Sequence, residues 1–326
     1  TIDRCVGRTQ TNGGGRSNAL VVSSGTVGFQ NCRAIGVADE EVVYVGGGSG
    51  ALVNIHASTE SGIATVGIGI RATVDVENCT VLDSATGISR VNKNEIDIRG
   101  SLIIAADGVE SSIGVYDNAP GGGAVANRFT VSDSVVVSGQ ASTSSYAFID
   151  RQNGRPKMLV YRSILASGDA PDSVALRHSS LDGSINNAED SIFFTRAGTE
   201  RRCIRERDSG IASIRNNVFA DCGLGILTIN NTDYPEICDG PDDVTGNIGR
   251  DSCAVLAHDS NVSGNTLASS GVSEVFDSGF DIDDPTTWII APAGQADRDG
   301  SGAFSDGDAG VDVSTVGADE LLLPEL

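Results

Sequence analysis

Apolar and polar residues alternate along Val74–Leu82, V-D-V-E-N-C-T-V-L, up to a small polar pair, Asn78-Cys79. Apolar residues then resume at Val81. The same shape returns in I-D-I-R-G-S-L-I-I (Ile96–Ile104), F-T-V-S-D-S-V-V-V (Phe129–Val137) and M-L-V-Y-R-S-I-L (Met158–Leu165). It recurs around E-D-S-I-F-F (Glu189–Phe194) and R-N-N-V-F-A (Arg215–Ala220), upstream in V-G-F-Q-N-C-R-A-I (Val27–Ile35), and weakly in N-V-S-G-N-T-L (Asn261–Leu267). Period-two alternation over such short runs predicts strands with one buried face. No window carries a sustained i, i+3, i+4, i+7 apolar face, so the chain reads as all-β.

Taking the small polar residue of each copy as a marker gives Cys32, Cys79, Ser101, Ser134, Ser163, Ser191, Asn217 and Asn265. The spacings are 47, 22, 33, 29, 28, 26 and 48 residues. Each long interval is close to twice the others and holds a candidate extra copy, Val53–His56 and Val244–Ile248. Leucine-rich repeats would need an L-x-x-L-x-L frame, and propeller blades longer repeats with recurring signatures; neither is found. A parallel β-helix fits, with a Greek-key sandwich as the competing architecture. Its coils stack about 4.8 Å apart, so like residues recur at one inward position and insertions fall in the turns. Within Val74–Leu82 this puts Val74, Val76 and Val81 inward and Asn78-Cys79 at the bend. Asn side chains there could bond up and down the stack, and Ser or Cys fits where the chain turns.

The N-C-T-V-L, D-S-V-V-V, R-S-I-L and N-N-V-F-A turns resemble those of secreted right-handed parallel β-helix proteins, the pectate-lyase-like superfold. The likeness covers about Val27 to Leu267 and is one of pattern, without a catalytic signature. The tail, D-R-D-G (Asp297–Gly300), G-V-D-V (Gly310–Val313) and G-A-D-E-L (Gly317–Leu321), is similar to the end of many bacterial surface β-helix proteins. Ser314-Thr315-Val316 interrupts that ending. The expected fold is therefore a right-handed parallel β-helix of roughly ten coils over residues 1–270, with 1–26 a first coil or N-terminal cap. An irregular acidic segment, 271–326, would cap it. Trp288, Ile289 and Ile290 are expected to close the core, and Leu321–Leu326 to pack on the last coil or form an interface.

Charge narrows the partners. The formal net charge is −22 with a pI near 4.3, which opposes nucleic acid and anionic membranes and suits divalent cations. Only Lys93 and Lys157 are lysines among 22 basic residues. No run of 18 apolar residues marks a transmembrane helix. Seven cysteines lack any C-x-x-C pair. Cys5, Cys32, Cys203, Cys222, Cys238 and Cys253 are disulfide candidates, implying an oxidising, extracellular or cell-surface setting; buried free thiols stacked in the solenoid are the alternative.

Asp297–Asp308, D-R-D-G-S-G-A-F-S-D-G-D, has the register of a Ca²⁺ loop. Asp297, Asp299, Ser301, Ala303 and Asp308 stand at positions one, three, five, seven and twelve, with Gly302 at six and Phe304 at eight. Position twelve is Asp in place of the bidentate Glu, and no helices flank the loop. Asp281, Asp283 and Asp284 form a poorer acidic cluster. A basic band runs from Arg151 to Arg207; were the chain an enzyme, Lys157, Arg162, Arg177, His178 and Arg202 would be its candidates, acting on an anionic polysaccharide as a lyase or hydrolase. Pairing of these arginines with nearby acids is the plainer reading. No nucleophile elbow, P-loop or dinucleotide fingerprint occurs, and the three histidines are far apart in sequence. The chain accordingly reads as a non-catalytic extracellular solenoid in adhesion, matrix or fibre assembly, with self-association through its unpaired end strands a specific possibility.

Overall fold

The computed structural model describes the chain outside residues 10–17, 27, 38–40, 61, 92–94, 119–127, 152–156, 180–184, 208–212, 224, 230–231, 235–236, 239–246, 249–260, 264–265, 269–274, 293, 295, 298–299, 303, 306–307 and 326. Nearly all its strands are parallel, and each pairs with the strand about one repeat away. The result is a solenoid with three strand ladders. One column of the first ladder runs Ile2, Phe29, Leu52, Val76, Ile98, Val131, Val160, Ala188, Ile214 and Val262, which makes ten rungs. From Phe29 to Ile214 this column is buried. The second ladder turns Ala34, Ala57, Val81, Ile103, Val136, Leu165, Phe193 and Phe219 inward, and the third Ile68, Ile88, Val115, Phe148, Leu176 and Ile204. Val74, Val76 and Val81 all face the core, as the alternation requires.

The bend between the first and second ladders explains the polar pair. Arg4, Asn31, Asn54, Asn78, Gly100, Asp133, Arg162, Asp190 and Asn216 occupy it, all with φ between 43° and 59°. Asn, Asp and Gly tolerate this left-handed conformation best, which accounts for seven of these nine residues being of those types. The following residue points inward and forms a hydroxyl ladder. Ser191 Oγ accepts from Ser163 N (3.1 Å), Ser163 Oγ from Ser134 N (3.3 Å), Ser134 Oγ from Ser101 N (3.1 Å) and Ser101 Oγ from Cys79 N (3.1 Å). Asn217 Oδ1 closes one end by accepting from Ser191 N at 3.0 Å. Each serine hydroxyl also donates to the carbonyl two residues back, so these four buried hydroxyls both donate and accept.

Two disulfides join neighbouring parts of the stack, Cys5–Cys32 and Cys203–Cys222. Cys79 is a buried free thiol whose pKa burial pushes up to about 12, leaving it inert as a nucleophile. Cys238 lies in a short antiparallel pair, Ile237–Cys238 with Asn247–Ile248, and Cys253 lies outside the described residues.

Ile2–Asp3 and Val6–Arg8 pair in parallel with the second coil, the first-coil alternative for the N-terminal stretch. Val53–His56 is a rung. Of the other candidate copy, residues 244–246 lie outside the described residues and Asn247–Ile248 pairs antiparallel with Ile237–Cys238, while Ser213–Arg215 pairs directly with Asn261–Ser263. The described part of the tail, from Val275 onward, runs back along the outside of the second ladder to the first coils.

That path follows a change in the outward column of the second ladder, Val6, Arg33, His56, Thr80, Leu102, Val135, Ile164, Ile192 and Val218. Over its apolar part the tail lays Val275, Phe276, Trp288, Ala309, Val311 and Val313, forming a second hydrophobic core outside the solenoid. Trp288 is fully buried there, with its ring centroid 4.9 Å from that of Phe194 and its Nε1 donating to Asp281 O at 2.7 Å. Over the polar part the contacts are polar. Ala318 N donates to Thr80 Oγ1 (2.8 Å), and Glu320 binds Arg33 Nη2 (2.5 Å) and His56 Nδ1 (2.7 Å). Burial raises the Glu320 pKa, but those two partners outweigh it and hold the carboxyl below its usual range. Gly310 and Gly317 sit at φ 89° and 91°, where a Cβ would fall 2.7 Å from Ile192 Cδ1 and 2.8 Å from Thr80 Oγ1. Glycine is what lets the tail lie this close.

Candidate functional site

Strand alternation leaves two polar faces in the solenoid's outer wall, and the residues singled out in the sequence distribute unevenly between them. Lys157 begins a first-ladder strand, Lys157–Tyr161. Arg162 occupies the bend, where its Nε pairs with Asp133 Oδ1 at 2.8 Å and its guanidinium lies 5.0 Å from the Tyr161 ring centroid. Arg177 and Arg202 lie on the outside of the third ladder. His178 points inward and is fully buried, its Nδ1 2.8 Å from Asp150 Oδ2. The side chains of Arg162, Arg177, His178 and Arg202 therefore do not converge on one centre.

The outer third ladder is nonetheless rich in arginine and tyrosine on an acidic chain. In register across its rungs stand Tyr116, Ile149, Arg177 and Arg205, and beside them Ile113, Tyr146, Val174 and Arg202. Arg151 extends over the Tyr116 ring at 5.9 Å and Arg177 over the Tyr146 ring at 5.2 Å. Asp172 is the hub. It accepts from Tyr146 OH at 2.6 Å and from Arg205 Nη1 at 3.2 Å, while Arg202 lies 3.8 Å away and also pairs with Glu200 at 2.9 Å. The pairing expected of the arginines is thus present. Among the described residues, Asp172 and Glu200 are acids that pair with this arginine group. Stacking on tyrosine holds the guanidinium planes in fixed orientations.

The second polar face is the outside of the first ladder. Asp75, Asp97, Thr130 and Leu159 stand in register, flanked by Glu77, Arg99, Ser132 and Tyr161. All of these but Tyr161 line a shallow groove of about 370 Å³. Arg128 Nη2 donates to Asp97 Oδ2 at 2.6 Å, and Arg99 pairs with Glu77. Asp75 has a raised pKa: partial burial and then the facing Asp97 and Glu77 favour its neutral form, against the pull of Arg128 and Arg99. None of these acidic residues was singled out above as a site candidate. Their signal was present in the repeats themselves, since V-D-V-E and I-D-I-R place Asp75 and Asp97 in the same outward slot.

In the tail, Asp297 and Asp308 are both buried. Asp297 Oδ2 accepts from Gly302 N at 2.9 Å and Asp308 Oδ2 from Ser305 N at 2.6 Å, so the loop curls around its acidic ends. Ser301 is exposed, and Asp299 and Ala303 lie outside the described residues. Among the described residues no three His, Cys, Asp or Glu side chains form a metal-holding group. Asp283 of the poorer cluster pairs with Arg196. No helix among them is long and apolar enough to cross a membrane. No protein-family model matches the chain, and no curated protein and no solved structure matches it either.

Proposed function

We propose that the chain is an extracellular or cell-surface right-handed parallel β-helix, without catalytic activity, that serves adhesion or matrix assembly by holding anionic polysaccharide on the arginine face of its third ladder. The observation that carries this reading is a local clustering of arginines. A chain of net charge −22 gathers Arg151, Arg177, Arg202 and Arg205 on the outside of one strand ladder, with two of them ordered over tyrosine rings. Guanidinium groups present paired donors that match carboxylate and sulfate oxygens, and the tyrosine rings beneath Arg151 and Arg177 hold them in place. Two disulfides favour an oxidising compartment, where such polymers are found. The resemblance of the turns to pectate-lyase-like proteins supports the right-handed winding.

The protein should be retained on immobilised polygalacturonate or heparin at low salt and released as ionic strength rises, because exposed charges are screened within about 10 Å at 0.1 M salt. Replacing Arg177 and Arg205 together by alanine should weaken this binding by roughly tenfold, about 1.4 kcal/mol. Equal retention of wild type and variant would overturn the assignment. Unsaturated or reducing ends released from any polymer in the same panel would move the reading from binding to cleavage.

The tail loop is proposed as a Ca²⁺ site that supports this role. Asp297 and Asp308 would supply carboxylate oxygens, Ser301 and Asp299 further oxygens, and Ala303 its carbonyl. Binding to the folded state alone stabilises it by mass action, about 2.7 kcal/mol at a hundredfold excess over Kd. Metal-stripped protein should therefore melt at a higher temperature when calcium is added. An unchanged melting temperature at millimolar calcium would remove the site.

A further inference from the structure

Downstream of Gly310 the tail is fastened in two different ways. Val311 and Val313 lie in the apolar outer core, buried with Trp288. Between Gly317 and Glu325, Leu323 is the one buried residue, and polar contacts with successive rungs hold the segment. Gly317 N donates to Gly100 O and Ala318 N to Thr80 Oγ1, both at 2.8 Å. Asp319 N donates to Asn54 Oδ1 at 2.5 Å, and Asn54 Nδ2 returns a bond to Asp319 O at 3.4 Å. Glu320 then spans Arg33 and His56, which stand in register on adjacent rungs, and Arg33 Nε donates to Pro324 O at 2.9 Å. A segment with so little apolar burial opens at a lower cost than the elements it rests on. Gly317, at φ 91°, divides the two parts.

Glu320 is the group through which acid reaches this segment. Its side chain is half-exposed, so protons from solvent have free access to it. The charged or titratable groups facing it are Arg33 on Phe29–Gly36 and His56 on Ser49–Thr59. The neighbouring Asp319 carboxylate turns back within the tail and accepts from Leu321 N at 3.0 Å. Burial opposes the charge of Glu320, but His56 and Arg33 outweigh it and hold the carboxyl below its ordinary value of 4.5. The ion pairs therefore contribute in full above that value and are lost as pH falls through the lowered one. A proton taken up by His56 adds attraction to the carboxylate, so the carboxyl and not the imidazole governs release. Neutralising Glu320 also removes the charge that orients Arg33, which holds Pro324 as well. We propose that residues 317–325 form an acid-released strap: protonation of Glu320 detaches this end of the tail from the first coils, pivoting at Gly317, while Trp288 keeps the rest seated. Release uncovers Leu323 and bares Arg33, Asn54 and His56 on the second ladder. The strap lies away from the arginine face and does not depend on what that face binds.

The test is amide hydrogen exchange of the full chain, read by NMR as protection factors so that the pH dependence of free amides cancels. Protection at Ala318 and Asp319 should fall about tenfold between about pH 6 and about pH 3, as expected for loss of a charged hydrogen bond. Val135 and Ile164, whose amides bond between rungs, and Ala309 in the seated part of the tail should keep theirs over the same range. Glu320→Gln keeps the size and removes the ionisable group, so its Ala318 and Asp319 amides should be weakly protected at both pH values. Arg33→Gln should move the midpoint of the fall to higher pH, a shift that loss of a merely structural contact would not produce. Equal protection of Ala318 and Asp319 in wild type and Glu320→Gln at about pH 6 would overturn the inference. So would a midpoint unmoved by Arg33→Gln, or opening of Val135 and Ile164 at the same pH as the strap.

Discussion

Substituting Asp117 by alanine should destabilise the protein by about 3–5 kcal/mol, among the largest effects available from a single side chain. Asp117 and Arg90 stand on adjacent rungs of the third ladder, and both are fully buried. Arg90 donates from Nε to Asp117 Oδ1 at 2.7 Å and from Nη2 to Oδ2, while its guanidinium lies 4.8 Å from the Phe129 ring centroid. Removing the carboxylate takes these hydrogen bonds and the opposite charge away from a fully buried guanidinium. Chemical denaturation followed by circular dichroism reads the loss. The double substitution Arg90→Met with Asp117→Leu should recover most of it, because the buried pair is then removed as a unit and neither partner is left without the other. A single-mutant loss below 1 kcal/mol would show that solvent reaches the pair.

Trp288→Ala is expected to cost about 3–5 kcal/mol and to free the tail from the solenoid. The indole is fully buried among Phe194, Phe276 and Phe280, with ring centroids at 4.9, 6.0 and 5.9 Å. Its loss opens a cavity in the outer core and removes the Nε1 hydrogen bond to Asp281 O. The apolar outward positions Val135, Ile164, Ile192 and Phe194 would then lie near solvent, a contiguous patch of the kind that drives association. Limited proteolysis should cut the variant in the tail well before the solenoid, and light scattering should detect aggregation on warming. If the tail stayed as resistant as in the wild type, the outer core would not depend on Trp288. Trp288→Phe, which keeps most of the apolar volume, should be much milder.

The rungs were legible because inward residues repeat for a physical reason that acts locally. V-D-V-E-N-C-T-V-L alternates in and out up to a bend that needs φ > 0, and Asn, Asp and Gly announce such bends in a linear sequence. Val244–Ile248 misled because a short apolar run is ambiguous by itself; its Asn247–Ile248 pairs antiparallel with Ile237–Cys238 within an insertion between rungs. Disulfide partners were not legible from seven cysteines, since they depend on which bends stack. Cys5 meets Cys32 because each follows a left-handed residue, Arg4 and Asn31, on adjacent coils.

The candidate sites were less visible. Asp75 and Asp97 are separated by 22 residues, as are many acids in this chain, and only the strand register sets them side by side. His178 lies in the basic stretch of sequence but faces the core against Asp150, whereas Arg177, one residue earlier, faces out toward Tyr146. One step along a strand reverses the side of the wall, so proximity in sequence does not decide which charges share a surface.

The sequence by itself determined the element and its repetition: a short strand, a left-handed polar bend, and a small residue turned into the stack. Each follows from backbone conformation and alternation within a few residues. Only the tertiary structure decided what those repeats surround. It set the return of the tail along the second ladder, where apolar Trp288 and Val311 meet apolar rungs and Glu320 meets Arg33 and His56. It also set the two polar faces, because residues a full coil apart become neighbours about 4.8 Å apart only when the coils stack.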